Sequence, residues 1–213
     1  MDDGFIRANT RLLAPPLVPE VALHLSEEPG AFWERVSLER GGDPTLPFWA
    51  FAWPGGQGLA RHVLDHPELV AGRRVLDVGS GSGLVAIAAA RAGAAHVVAS
   101  EVDAAGRTAI ALNAAANRVR IAVSGDMTDG DGGDADTVLV ADVFYDRPTA
   151  DRVVPFLARA VARGATVLVG DPGRPYLPHH EWETLAVHHV RVPPGLEDRD
   201  VKRTTVWRAR PPA

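Results

Sequence analysis

The feature that most constrains the fold of this chain is a glycine-rich turn, G-S-G-S-G, at residues 79–83. It joins the short apolar run RRVLDV to the longer, alanine-rich run LVAIAAARAG. The first run is typical of a buried strand, and the second predicts a helix that ends at Gly93. A glycine turn from strand to helix lets a ligand approach the backbone closely, beside the positive end of the helix.

From residue 73 onward, strand-like and helix-like segments alternate. Further strands are predicted at HVVASEV, VRIAVSG, DTVLVADV and ATVLVGD, with helices after Asp103 and from Pro148 to Arg163, where Pro155 is expected to produce a kink. The tail segments VHHVRV and RTTVWRAR predict an antiparallel hairpin. We therefore predict an α/β fold, a Rossmann-like, doubly wound, mostly parallel seven-stranded sheet that binds ligands at the carboxyl ends of its strands.

Composition limits the class of protein. The 213 residues fit one α/β domain at residues 47–213, after a short N-terminal extension at residues 1–46 that is expected to act as a lid over the pocket. The absence of cysteine excludes disulfides, thiolate zinc sites and cysteine nucleophiles, and the histidines lack metal spacing, so no metal is expected. The acidic glycine-rich segment GDMTDGDGGDAD at residues 125–136 predicts a mobile surface loop.

Charge and hydropathy limit the partners. A net charge of −5 argues against binding to nucleic acid, which requires a basic face. No run approaches the roughly 20 apolar residues of a membrane span, and the acidic start lacks an apolar signal region. We expect a cytoplasmic protein with no membrane partner, as a monomer or weak dimer.

The glycine turn fits two types of cofactor. Gly79, Gly81 and Gly83 form G-x-G-x-G, whereas the last two glycines also form the dinucleotide fingerprint G-x-G-x-x-A with Ala86. Asp77 is expected to decide between them, because a carboxylate at the mouth of the turn would repel a pyrophosphate and attract the ammonium group of S-adenosylmethionine. An oxidoreductase would require Asp77 to face away from the ligand.

Acidic residues after the next two strands extend the cofactor site. Glu101 is placed to accept both ribose hydroxyls, and Asp126 and Met127 are placed to bond the adenine amino group and cover the ring. The open alternative for the latter pair is a loop-start aspartate and a core methionine. The full set expected to contact S-adenosylmethionine is Trp53, Asp77, Gly79, Ser80, Gly81, Gly83, Glu101, Val102, Asp126, Met127 and Asp142.

This constellation resembles the seven-stranded, class I methyltransferases from about residue 47 to the C-terminus. Two segments, PFWAFAWPGGQGLARHVLDHPELVAG and ADVFYDRP, closely resemble the family that contains the lysine methyltransferase of the electron-transfer flavoprotein β subunit, with its bacterial relatives. VLVGDPGRPYLP and TTVW are also similar to that family. The resemblance implies a bacterial protein-lysine N-methyltransferase that uses S-adenosylmethionine, yields S-adenosylhomocysteine and acts on that flavoprotein subunit.

Two other functions stay open. V-L-D-V-G-S-G-S-G is also similar to the ribosomal protein L11 methyltransferase, so the acceptor could be a ribosomal protein or a small amine, although the Asn-rich motif expected after its fourth strand is missing. The second is a non-catalytic module that binds the cofactor as a structural or sensory ligand. The intact D-V-F-Y segment at residues 142–145 argues against it.

Asp142, Phe144 and Tyr145 are the predicted catalytic residues. Asp142 follows the fourth strand, which places it at the sheet edge beside the methyl donor, and D-V-F-Y in place of N-P-P-F or N-P-P-Y favours an amine acceptor over a planar amide. Asp142 is expected to catch and aim the ammonium, while Tyr145, Phe144 and Trp49 hold its alkyl stem. The alternative is a capping aspartate with two packed rings.

The aromatic residues at 48–53 are expected to divide between core and pocket. Strand-like alternation would send Trp49, Phe51 and Trp53 to one face and Phe48 to the other, with Trp53 favoured as a cofactor contact. Arg174 could either contact the protein substrate or close its own loop.

Overall fold

The computed structural model describes residues 1–43, 45–178 and 182–210. The chain begins with α1 (Asp3–Asn9), β1 (Arg11–Leu13), β2 (Leu23–Leu25), α2 (Pro29–Glu39) and α3 (Pro54–Asp65). Next come β3 (Arg74–Val78), α4 (Leu84–Arg91), β4 (His96–Ser100), α5 (Ala104–Ala116), β5 (Ala122–Ser124) and β6 (Thr137–Ala141). The remaining elements are α6 (Arg147–Ala162), β7 (Thr166–Asp171), β8 (Glu183–Arg191) and β9 (Val201–Arg208).

Seven of the strands form one sheet in the order β5-β4-β3-β6-β7-β9-β8. The first five strands in this order pair in parallel, whereas β9 is antiparallel to both β7 and β8. The predicted fold, including the C-terminal hairpin, is therefore confirmed. From β3 the chain adds β4 and β5 on one side and then crosses to add β6 and β7 on the other side, so the strand order changes direction between β3 and β6. Ligands bind at such a switch point.

Both faces of the sheet are covered, which explains why β6 is apolar from Val138 to Ala141 and why β3 carries Val75, Leu76 and Val78 on its two faces. Leu139 packs on one face with Leu59 of α3 and Ile87 of α4. Val138 and Val140 point to the opposite face, where they pack with Phe156 of α6. The two layers of helices therefore fix the carboxyl ends of β3 and β6 at the same edge of the sheet.

The N-terminal extension is tied to the domain. Asn113 Oδ1 of α5 accepts the His24 backbone N–H at 2.7 Å, and Asn117 Oδ1 accepts that of Ala22 at 3.0 Å. Phe32 of α2 is buried beside α5. Among the described residues of this extension, only Thr45 and Leu46 line the cavity described below. A lid motion of the extension stays a prediction.

The acidic segment after β5 is a loop, as predicted, and its backbone is bound by two arginines, while its mobility stays a prediction. Arg159 Nε donates to the Gly130 carbonyl at 2.8 Å, and Arg163 Nη2 donates to that of Ala135 at 2.6 Å. Arg159 of α6 and Arg163, the residue after that helix, thus bind the loop backbone, a long-range pairing that composition does not reveal. α6 continues through Pro155 as one helix. Among the described helices, none combines the length and apolar character needed to cross a membrane.

Candidate active site

A cavity of about 490 Å³ opens at the carboxyl ends of β3, β4 and β6. This volume is typical of a site for a small molecule or cofactor. Of the predicted site residues, the cavity is lined by Trp49, Trp53, Gly79, Gly81, Glu101, Val102, Asp126, Asp142 and Tyr145. The structure thus brings together residues from five separate segments of the chain.

The glycine turn forms the floor of the cavity. Gly79, Gly81 and Gly83 have φ angles of 66°, 54° and 82°, all in the left-handed region that favours glycine. A side chain at Gly79 would also lie 2.8 Å from Val143 Cγ1. Gly83, by contrast, is the N-cap of α4 and faces Ile110, so it serves packing and does not line the cavity.

Asp77 lies beneath the turn and not at its mouth, which corrects the sequence prediction. Its Oδ2 accepts the Ser80 hydroxyl at 2.5 Å and the Ala86 backbone N–H at 3.1 Å, at the start of α4. Asp77 is 1% exposed, and burial raises its pKa to about 7. Asp77 and Ser80 therefore brace the turn and do not line the cavity.

Glu101 lies where a ribose-binding acid was predicted. Its Oε2 accepts the Gly81 backbone N–H at 2.8 Å, and its Oε1 accepts that of Asp103 at 2.9 Å. Burial raises the pKa of Glu101. Gly106 is needed beside it, because a Cβ there would lie 2.7 Å from Glu101 Cγ. The neighbouring Val102 is exposed and lines the rim of the cavity.

The predicted adenine contacts are divided by the structure. Asp126 lines the cavity and accepts the backbone N–H and hydroxyl of Thr128 at 2.9 and 2.7 Å. Met127 instead packs against the apolar cluster beneath α6, as its alternative assignment proposed. Arg152 of α6 lines the cavity and forms an ion pair with Asp126, which sequence analysis missed because no local pattern joins the two positions.

The aromatic stretch does not alternate as a strand would. Residues Phe48–Ala50 form a 3₁₀ turn, so the predicted division of faces is wrong. Trp49 and Phe51 both pack against Phe32, with ring centroids 5.7 and 6.2 Å apart. Phe48 and Trp53 line the cavity, and Trp53 Nε1 donates to the Phe48 carbonyl at 2.9 Å. Trp53 therefore lies where a cofactor contact was predicted.

Asp142 is held at the opposite end of the cavity by an unusual backbone. Its φ of 54° is rare for a residue with a side chain, and strain of this kind is concentrated at functional sites. Its N–H donates to the Gly170 carbonyl at 3.1 Å, and its Oδ2 accepts the Gly56 N–H at 2.8 Å from the first turn of α3. The positive end of α3 therefore faces this carboxylate.

The W-P-G-G segment is explained by this contact. Pro54 begins α3, and Gly55 leaves room for Asp142, since a Cβ at Gly55 would lie 2.5 Å from Asp142 Oδ2 and would also collide with the Gly170 carbonyl. Burial and then the neighbouring carboxylate of Asp171 raise the pKa of Asp142. Helix α3 and β7 thus fix the largely buried carboxylate of Asp142 at the wall of the cavity.

Phe144 and Tyr145 have different positions. Tyr145 lines the cavity beside Phe48, with ring centroids 5.0 Å apart. Phe144 is fully buried and meets Trp182 edge-on at 6.4 Å, so its predicted contact with the acceptor is replaced by a core position. Residue spacing after β6 could not distinguish which of the two rings turns towards the cavity.

Arg174 closes the end of the cavity beside Asp142. Asp171 Oδ1 accepts the backbone N–H groups of Gly173 and Arg174 at 2.7 and 2.6 Å, and the guanidinium donates to Asp142 and Glu197. Within the described residues, no group of three or more His, Asp or Glu side chains is arranged to hold a metal ion. His179 and His180, two of the histidines judged to lack metal spacing, lie outside the described residues.

The strand order, the glycine turn after β3 and the acid after β4 define a class I methyltransferase. The family described as ribosomal protein L11 methyltransferase (PrmA) matches residues 62–169. The magnesium protoporphyrin IX methyltransferase of Synechocystis PCC 6803, solved with bound SAM, shares the fold with a TM-score of 0.53 at 18% identity, covering 83% of this chain and 88% of that one.

Several relatives match almost the whole chain. The electron transfer flavoprotein beta subunit lysine methyltransferase of Homo sapiens is 36% identical over 218 residues, covering 98% of this chain and 82% of the relative. That of Xenopus laevis is 34% identical over 216 residues, covering 98% and 87%. The chain belongs to the electron transfer flavoprotein beta subunit lysine methyltransferase family and, over residues 62–169, also matches the PrmA family.

Proposed function

We propose that this protein transfers methyl groups from S-adenosylmethionine to a lysine amine of the electron transfer flavoprotein β subunit. The observation that carries the proposal is the buried carboxylate of Asp142, which lines the cavity at the end of β6 and faces the first turn of α3. A buried carboxylate favours a cationic acceptor such as a lysine side chain. Family membership supports the choice of substrate.

The residues of the cavity fit S-adenosylmethionine. Asp126 and Asp142 line the cavity paired with Arg152 and Arg174, whereas the Glu101 carboxylate beside the glycine floor accepts hydrogen bonds from backbone N–H groups. An acidic residue without an arginine partner suits a cofactor that carries an ammonium, a sulfonium and ribose hydroxyls. Glu101 would hold the ribose hydroxyls of the cofactor. Gly79 and Gly81 would allow the cofactor to approach the backbone closely, and Trp53 would cover an apolar face of the cofactor. When bound, the cofactor supplies an activated methyl group on a positively charged sulfur.

Methyl transfer requires alignment and an uncharged nitrogen. The nitrogen lone pair forms a bond to the methyl carbon as the carbon–sulfur bond breaks, and the amine's proton leaves to water. A lysine with a pKa near 10.4 must first lose that proton, at a cost of roughly 4 to 5 kcal/mol at neutral pH. The buried cavity lowers this cost by disfavouring the charged amine.

Asp142 and the aromatic residues have separate tasks. Asp142 attracts and aims the lysine ammonium but is not a strong base, because a nearby carboxylate raises the pKa of an amine. Tyr145 and Phe48, in contact with each other at the cavity wall, would flank the alkyl stem and hold each methylated product by roughly 0.5 to 2 kcal/mol per cation–π contact.

A ribosomal protein acceptor is the second candidate, favoured by the match of residues 62–169 to the PrmA family. That match runs from the last turn of α3 into β7 and leaves out Trp53, the start of α3 and the loop that contains Arg174. The two candidates can be separated by incubating the protein with S-adenosylmethionine and either purified flavoprotein β subunit or ribosomal protein L11. Mass spectrometry should then detect methyl-lysine in the flavoprotein subunit and none in L11.

Methylation of L11 alone would overturn the proposal. A bacterial source, a cytoplasmic location and a monomeric or weakly dimeric state stay predictions. Cell fractionation tests the location, and sedimentation of the purified chain tests the oligomeric state.

A further inference from the structure

The acceptor end of the cavity already contains a cation. Arg174 Nη2 donates to Asp142 Oδ1 at 3.1 Å, and its guanidinium lies 5.6 Å from the Trp53 ring centroid. The Arg174 side chain is only 17% exposed. A lysine ammonium that approaches Asp142 from the cavity must therefore share this carboxylate with Arg174 or displace it.

Arg174 has a second and better partner. It binds Glu197 through both terminal nitrogens, with Nη2 2.5 Å from Oε1 and Nη1 3.2 Å from Oε2, whereas only one nitrogen reaches Asp142. A two-bond pair of this kind is stronger than a single contact. Glu197 belongs to the loop between β8 and β9, and its side chain is 7% exposed.

The charges around Arg174 are not balanced. Asp142 and Glu197 share the one guanidinium, while Lys202, 3.7 Å from Glu197, is bonded to Asp198 at 2.7 Å. Among the described residues, Asp171 Oδ2 is buried without a hydrogen-bond partner, which adds a further buried carboxylate. One more cation would give Asp142 a partner of its own and leave Arg174 to Glu197.

We propose that Arg174 and Glu197 form a gate that reserves Asp142 for a cationic acceptor. While the acceptor is absent, Arg174 binds both Asp142 and Glu197. When the ammonium arrives, it replaces Arg174 at Asp142, and Arg174 keeps both of its bonds to Glu197. A neutral acceptor cannot replace the guanidinium, so the gate selects amines. The assignment of the acceptor rests on the proposed function, whereas the exchange of partners concerns cation binding alone.

Binding of a permanent cation tests the gate without methyl transfer. The probe is butyltrimethylammonium, titrated at constant ionic strength into protein saturated with S-adenosylhomocysteine and followed by tryptophan fluorescence, since Trp53 lies beside Arg174. The neutral 3,3-dimethylbutan-1-ol is the control ligand. Glu197→Gln should weaken binding of the cation about tenfold, because Arg174 then has only Asp142 as a partner.

The double variant carries the decisive result. Arg174→Gln should bind the cation at least as tightly as the natural protein, and the combination with Glu197→Gln should return the affinity to within about twofold of the natural value. A purely structural role predicts that the double variant binds as weakly as Glu197→Gln or more weakly, which would overturn the gate. Unchanged binding by Glu197→Gln would also overturn it.

A crystal structure of the natural protein with the cation provides a test that requires no variant. The gate predicts that the cation replaces Arg174 at Asp142 while both Arg174–Glu197 bonds persist, and an unchanged Arg174–Asp142 contact contradicts it. If the cation results hold but no lysine is methylated, the proposed function fails and the gate stands. If lysine is methylated without partner exchange, the gate alone fails.

Discussion

Replacing Gly55 with alanine should disrupt the acceptor site through one methyl group. Gly55 is the second residue of α3, after Pro54, and a Cβ there would lie 2.5 Å from Asp142 Oδ2 and 2.7 Å from its Cγ. Carbon and oxygen atoms normally stay well over 3 Å apart, so α3 or the Asp142 loop must move by roughly 1 Å. Asp142 cannot then keep its bond to the Gly56 N–H.

The expected cost follows from these contacts. Overpacking costs about 1 to 3 kcal/mol, and loss of a hydrogen bond to a charged group costs about 1.5 to 3 kcal/mol. The higher helix propensity of alanine relative to glycine offsets up to about 1 kcal/mol of this loss in the free energy of unfolding. We therefore expect Gly55→Ala to lower the free energy of unfolding by roughly 2 to 5 kcal/mol and to reduce methyl transfer sharply.

Gly30 provides a matched control. It is also the second residue of a helix, after Pro29 of α2, but a Cβ at Gly30 meets nothing within 4 Å. Urea unfolding should show Gly30→Ala unchanged or stabilised by up to about 1 kcal/mol. Equal unfolding free energies for the two variants would refute the argument that Gly55 makes room for Asp142.

Two further predictions concern the cofactor and pH. Glu101→Ala should weaken S-adenosylhomocysteine binding by roughly 1 to 3 kcal/mol in calorimetry, because the ribose loses a buried partner, and unchanged affinity would contradict this assignment. Burial, and then the neighbouring His66 and His188, lower the pKa of His62 from 6.5 to about 4. As the pH falls from 6.5 to 4, His62 therefore takes up a proton in the unfolded chain but not in the folded protein, and the free energy of unfolding decreases. Relative to His62→Gln, the natural protein should lose roughly 2 kcal/mol in urea unfolding between pH 7.5 and 4.5, and parallel pH profiles would exclude His62 as the cause.

The sheet and the glycine floor were predictable because each follows from a local pattern. Apolar runs of strand length alternate with helical ones, and G-S-G-S-G and Glu101 lie directly after two strands. Parallel strands end at the same edge, so residues in these positions must converge. The placement of Asp142 in the cavity follows from the same rule.

Side-chain direction was less predictable. Asp77 was expected in the cavity but turns beneath the glycine loop, where the N–H groups at the start of α4 attract a carboxylate. Phe144 was expected beside Tyr145 but belongs to the core. The pair Arg174–Glu197 leaves no periodic signal, because its members lie on two separate loops that meet only in the folded sheet.

The central claim is that Asp142 receives the acceptor amine beside the methyl donor. The most direct measurement is the single-turnover rate of lysine methylation on the flavoprotein β subunit by Asp142→Asn, with Asp151→Asn on the exposed face of α6 as control. We predict that Asp142→Asn is slower by about a hundredfold, with S-adenosylhomocysteine affinity within about threefold of the natural protein, whereas the control is unchanged. A natural rate for Asp142→Asn would contradict the account.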